Sequence, residues 1–107
     1  MHARVTQFAV QPGKLDDFVN ALEAARPLMH QRKGFQALLV LRVEGSNPPD
    51  VRVMTFWESQ LALHESESSV QFYAALARAM AFSQGFPIIR EEEVMISDFT
   101  RASAAKA

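Results

Sequence analysis

Cysteine is absent from this 107-residue chain, which excludes disulfides, a thiolate nucleophile and sulfur-ligated zinc or iron. That lack suits a reducing compartment, and a soluble cytoplasmic protein is the expectation. Long apolar runs are missing too. No stretch approaches the roughly 20 residues that a membrane-spanning helix needs, and "MHARVTQFAV" has no signal-peptide core. Nor is there an excess of either charge: the net charge is -1 and the eleven basic residues are dispersed. No electrostatic stripe is offered to nucleic acid or to an anionic membrane surface, so neither is expected as a partner. A phosphate loop, a dinucleotide fingerprint and a Ser-His-Asp ordering are likewise missing.

What is present is a chain with 49% hydrophobic residues, enough for one packed core in a single domain, taken as residues 1–99. "ARVTQFAV" is rich in β-formers and is stopped by Pro12 and Gly13, which supply turn chemistry. From Lys14 the apolar spacing turns helical, with Leu15, Phe18, Val19, Leu22, Ala25 and Leu28 on one stripe. Asp16 and Asp17 suit the first turn, Arg32 and Lys33 the last, and Gly34 the stop. Pro27 lies within this pattern, so a kink or a helix in two pieces is expected near Ala25 and Arg26. "FQALLVLRV" and "DVRVMTFWE" read as a hairpin of two strands joined by "EGSNPP".

Ser59 is placed to cap a short helix over Gln60 to Glu65, and Ser68 with Gln71 has capping-box spacing for a longer one. The longer helix is expected to bury Ser69, Phe72, Tyr73, Leu76 and Met80. "SQGFP" ends it, and "IIREEEVMISDF" reads as a last strand with Val94 and Ile96 on one face and Met95 on the other. Residues 100–107 lack a periodic apolar set and are expected to be a flexible tail.

The order β-α-β-β-α-β predicts an α+β, ferredoxin-like antiparallel sheet with its helices on one face. Strand two puts Phe35, Ala37, Leu39, Leu41 and Val43 on one face and Leu38 and Val40 on the other. In strand three Val51, Val53 and Trp57 oppose Met54 and Phe56. An antiparallel sheet with one solvated face alternates cleanly, so two apolar faces need a second cover. A second copy is the simplest, and a homodimer closed through the sheet face is expected.

Three segments carry a likeness to a family: "VQPGKLDDFVNAL", "RPLMHQRKGFQALLVLR" and "FWESQLALHESESSVQFYAAL". Together they resemble the antibiotic biosynthesis monooxygenase-like group of dimeric α+β barrel proteins. The third has that group's run of Trp, an acidic residue, a short helix with His, a Ser and a further aromatic. The resemblance implies oxidation of a small aromatic, anthrone or quinol-like compound by dioxygen with neither metal nor flavin. In that chemistry a base removes a substrate proton and the resulting carbanion reduces dioxygen. Such a site needs an apolar slot, a base and donors for a developing oxyanion. The resemblance thus implies Trp57, Phe72 and Tyr73 as the slot, His64 as the base, and Gln7 or Tyr73 as the donor to oxygen.

Each of these residues also has a structural reading. Trp57 at a strand end is a core or interface aromatic, His64 beside Glu65 and Glu67 a surface histidine, and Tyr73 a packed residue with a bonded hydroxyl. "HESE" gives at most two ligands on one helix face, too few for a metal site. "REEEV" reads as a solvated strand edge, and the serines at 59, 66, 68 and 69 as helix-start residues. Relatives that degrade haem have a histidine later on the long helix. None follows Val70 here, which disfavours haem degradation. The remaining alternative is a non-catalytic dimer that binds a hydrophobic metabolite.

Overall fold

The computed structural model describes residues 1–99, so the expected tail over 100–107 lies outside the described residues. Seven elements follow one another: β1 (His2–Ala9), α1 (Leu15–His30), β2 (Phe35–Arg42), β3 (Asp50–Trp57), α2 (Gln60–Ser66), α3 (Val70–Met80) and β4 (Ile88–Glu93). The strands form one antiparallel sheet in the order β2-β3-β1-β4, the ferredoxin-like arrangement expected from the element order.

Alternation along β3 decides which side the helices cover. Val51, Val53 and Trp57 are buried and face α1 and α3, contacting Phe18, Leu22 and Ala79 at one end and Ala25, Met29 and Phe72 at the other. Phe8 of β1 lies opposite Val51 and meets Phe18 edge to face at 5.0 Å. Phe18, Met29 and Leu63 are sealed from solvent, and each such side chain is worth about 1.5–3 kcal/mol of hydrophobic burial. Among the described residues no helix is long and apolar enough to cross a membrane.

The structure corrects the local reading in four places. A register shift between Phe35 and Ala37 inserts one residue into β2 and reverses its alternation there. Phe35 therefore joins Leu38 and Val40 on the helix side and meets Trp57 at 5.3 Å, while Ala37, Leu39 and Leu41 take the open side. Helix α1 runs unbroken through Pro27. Pro27 removes the N–H that would bond the Glu23 carbonyl, and the complete burial of Ala25 and Met29 on either side of it holds the helix together despite that loss.

Ser69, not Ser68, caps α3, its hydroxyl accepting from the Phe72 N–H at 3.2 Å. The one-residue offset puts Phe72, Ala75 and Ala79 on the buried stripe and leaves Tyr73 47% and Met80 43% exposed. Finally, β4 stops at Glu93 rather than continuing toward Phe99. Val94 still donates its backbone N–H to the Met1 carbonyl at 3.0 Å.

Gly34 fixes how α2 sits against this sheet. Its φ is +82°, and a Cβ added there would lie 2.5 Å from the Ala62 Cβ. Its carbonyl accepts from the Glu58 N–H at 2.8 Å, so the start of α2 is held beside the end of α1. Gly13 has a similar φ of +78° but open space around it. Alanine at either site meets the left-handed penalty of about 1–2 kcal/mol, and only Gly34→Ala adds a steric overlap. In urea unfolding, Gly34→Ala is expected to lose about 1–3 kcal/mol more than Gly13→Ala; equal losses would contradict this role for Gly34.

Candidate active site

Between the helix-facing side of the sheet and α3 lies a cavity of about 410 Å³, within the roughly 300–1,000 Å³ usual for small-molecule sites. Its existence follows from residue size. Toward the cavity α3 presents the small Ala79 beside the larger Phe72 and Leu76, so the layers do not close fully. Thr6 and Phe8 from β1, Val53, Thr55 and Trp57 from β3, and Ile89 from β4 supply the floor. Phe72 and Leu76 cover it, with Tyr73, Ala77, Met80 and Pro87 completing the wall. Two other hollows, of about 440 Å³ beside α1 and β2 and about 390 Å³ on the open sheet face, are more open and richer in polar lining.

Trp57 forms one wall and is 1% exposed. Its indole Nε1–H donates to the Thr55 hydroxyl at 3.0 Å, and Phe35 and Phe72 contact its ring edge to face at 5.3 and 6.4 Å. With its one donor engaged and its ring packed on two sides, Trp57 supplies apolar surface rather than a free hydrogen bond.

One end of the cavity is polar. Register places Arg4 of β1 directly opposite Glu91 of β4, and both line the cavity together with Glu67. Helix α2 offers His64 and Glu67 at a spacing of three, which puts them on one helix face. The Arg4 guanidinium pairs with the Glu67 carboxylate, and His64 Nε2 lies 2.6 Å from Glu91 Oε1. One ion pair and one histidine–carboxylate hydrogen bond thus tie the α2 end to β1 and the edge strand β4. Their side chains are 19–46% exposed; such partly solvated pairs add about 0–1 kcal/mol each, so their importance is position. Arg4 Nε is buried without a hydrogen-bond partner. Among the described residues no group of three or more His, Cys, Asp or Glu is arranged to hold a metal ion.

The residues singled out from sequence are distributed as follows. Trp57, Phe72 and Tyr73 meet at the cavity, Tyr73 as a half-exposed member of its wall. His64 stands outside and touches the cavity only through Glu91. Gln7 is not brought to it: strand alternation puts Gln7 on the opposite face of the sheet, where its Nε2 donates to the Asp50 carboxylate at 3.2 and 3.3 Å. Arg4, Glu67 and Glu91 were not singled out from sequence as site residues. The one available signal was period-two alternation in "IIREEE", which places Glu91 on the same face as Ile89, but the pairing with β1 was needed to aim it at Arg4.

A family model described as antibiotic biosynthesis monooxygenase matches residues 1–78. The chain belongs to the antibiotic biosynthesis monooxygenase family. Solved structures agree on the fold. A candidate antibiotic biosynthesis monooxygenase from Bordetella bronchiseptica superposes with a TM-score of 0.78 at 20% identity, covering 89% of this chain and 97% of that one. SnoaB, a cofactor-independent oxygenase from Streptomyces nogalater, gives 0.77 at 14% identity over 90% and 94%. Rv0793 from Mycobacterium tuberculosis gives 0.74 at 12% identity over 90% and 96%. A comparison with curated protein sequences gave no match. The matched family segment contains Arg4, Trp57, His64 and Glu67 but ends before Glu91.

The bond between Trp57 and Thr55 is directly testable because Trp57 is the only tryptophan. Thr55→Val keeps the shape and strands the buried indole N–H, with an expected loss of about 1–3 kcal/mol and a changed emission maximum. Thr55→Ser is expected to retain both stability and emission. Full stability in the valine variant would show that the bond contributes nothing.

Proposed function

We propose that this protein is a cofactor-independent monooxygenase that oxidises a small aromatic, anthrone or quinol-like compound with dioxygen, acting as a cytoplasmic homodimer. The observation that carries the reading is an apolar cavity, walled by Trp57 and Phe72, with ionisable side chains confined to one end. A planar aromatic substrate fills the apolar part and turns its acidic carbon toward the His64 and Glu91 pair. Proton removal leaves an electron-rich carbanion, which transfers electrons to dioxygen and forms a carbon–oxygen bond. The peroxide then receives the proton, the remaining carbon–hydrogen bond breaks with the oxygen–oxygen bond, and a carbonyl and one water result. For a methylene substrate and one dioxygen the atoms balance: one oxygen enters the product and the other leaves as water. The Arg4 charge at the same end favours the anionic intermediate over the neutral substrate.

The homodimer rests on the open side of the sheet. Leu39, Leu41 and Ile88 are 39%, 49% and 52% exposed and share that side with Val5 and Met54. Arg52, Arg90 and Glu92 stand among them, charges of both signs that a twofold copy of the same face can pair.

Two measurements test these statements. In sedimentation the protein is expected at twice the 12.0 kDa of one chain, and Leu41→Glu is expected to sediment as a monomer; a wild-type monomer would remove the dimer. Dioxygen uptake with a panel of anthrones and quinols, without added metal or cofactor, is expected above the buffer rate. The double variant His64→Ala with Glu91→Gln is expected to lower it by about 10²-fold or more. A folded wild-type protein that quenches its Trp57 fluorescence with these compounds but consumes no dioxygen is instead a binding protein.

A further inference from the structure

In the His64 and Glu91 pair both side chains are partly exposed to solvent, that of Glu91 by 39% and that of His64 by 46%, and only Glu91 also reaches the cavity. Only one oxygen of the Glu91 carboxylate is engaged: Oε1 lies 2.6 Å from His64 Nε2, and Oε2 has no hydrogen-bond partner among the described residues. Arg4, although opposite Glu91 in register, gives its hydrogen bond to Glu67 instead. Glu91 is therefore a cavity carboxylate with one oxygen unpaired among the described residues, oriented by a histidine that stands outside the cavity.

We propose that Glu91 is the catalytic base of this site and that His64 is its positioning residue. This rests on the oxygenase reading above and changes which group touches the substrate. Glu91 Oε2 accepts the proton as the carbon–hydrogen bond breaks, and the electron pair stays on carbon. After the carbanion has combined with dioxygen, Glu91 returns the proton to the outer peroxide oxygen. It then accepts the second carbon-bound proton as the oxygen–oxygen bond breaks, and delivers it to the departing hydroxide to complete one water. His64 holds the carboxylate through its Nε2, and the partly exposed carboxyl exchanges its proton with water. A carboxylate suits carbon acids whose anion is delocalised over aromatic rings, because the cavity then needs a base only strong enough to meet an acidified carbon. The assignment also follows the geometry, since the histidine would have to displace Glu91 to reach a bound molecule itself.

Anaerobic exchange in heavy water separates this proposal from the oxygenase reading, because it follows proton abstraction with no dioxygen present. Anthrone is the probe, and loss of its methylene signal is followed by proton NMR. Wild type is expected to accelerate exchange about 10²-fold or more over buffer. Glu91→Gln is expected to return to the buffer rate while anthrone still quenches Trp57, and Glu91→Asp to fall between. His64→Ala is expected to lower the exchange kcat about tenfold with KM unchanged, and added imidazole to recover part of the rate, which a purely structural histidine would not allow. Wild-type exchange in Glu91→Gln overturns the assignment, as does an inactive His64→Ala beside an active Glu91→Gln. No acceleration by wild type overturns it too. Exchange without dioxygen uptake in air supports Glu91 as the base and removes the oxygenase reading.

Discussion

Burial of Trp57 at the end of β3 is the constraint on which the rest of the structure depends. Its ring reaches β2 through Phe35, α3 through Phe72 and its own strand through the Thr55 hydroxyl. Three elements are thereby fixed around one side chain. Immediately after it the chain leaves the sheet, Glu58 bonds back to Gly34, and Ser59 caps α2 by accepting from the Ala62 N–H at 3.1 Å. The helix that carries His64 and Glu67 is thus positioned by the residue that also walls the cavity. A shift of Trp57 would disturb the core, the cavity and its polar end together.

The polar end illustrates how modest energies produce a defined site. Neither contact is buried enough to contribute much stability, yet both link the α2 end to adjoining strands of the sheet. The hydrophobic core sets the distance between α2 and the strands, and the two polar contacts select side-chain orientation within it. Arg4 is committed to Glu67, which leaves Glu91 to His64. The charge pattern is therefore ordered, with the cation paired to one carboxylate and the other carboxylate tied to a histidine.

Most of the fold was legible because its signals are periodic. The alternation in β3 identified Val51, Val53 and Trp57 as one face, and the stripe of Phe18, Leu22 and Ala25 identified the buried side of α1. Signals that depend on a single residue were less legible. The extra residue near Gln36 moved Phe35 to the opposite face, and α3 is capped by Ser69 rather than Ser68, with Phe72 buried as expected and Tyr73 turned out. Both serines have the right chemistry for a cap. At the site, the aromatic members were implied by the resemblance to the family, whereas Arg4 and Glu91 required the pairing of β1 with β4 across most of the chain. Gln7 shows the same dependence in reverse: a polar residue in β1 has two possible faces, and register with Arg52 and Asp50 assigns it to the open one.

The claim most central to this account is that a planar aromatic molecule occupies the cavity beneath α3 rather than the apolar open side of the sheet. Intermolecular nuclear Overhauser effects from a bound tricyclic phenol would test it most directly. The account requires contacts to the ring protons of Trp57 and Phe72 and to the methyl groups of Leu76 and Val53. Contacts to Leu39, Leu41 and Met54 instead would place the ligand on the opposite face of the sheet and contradict it.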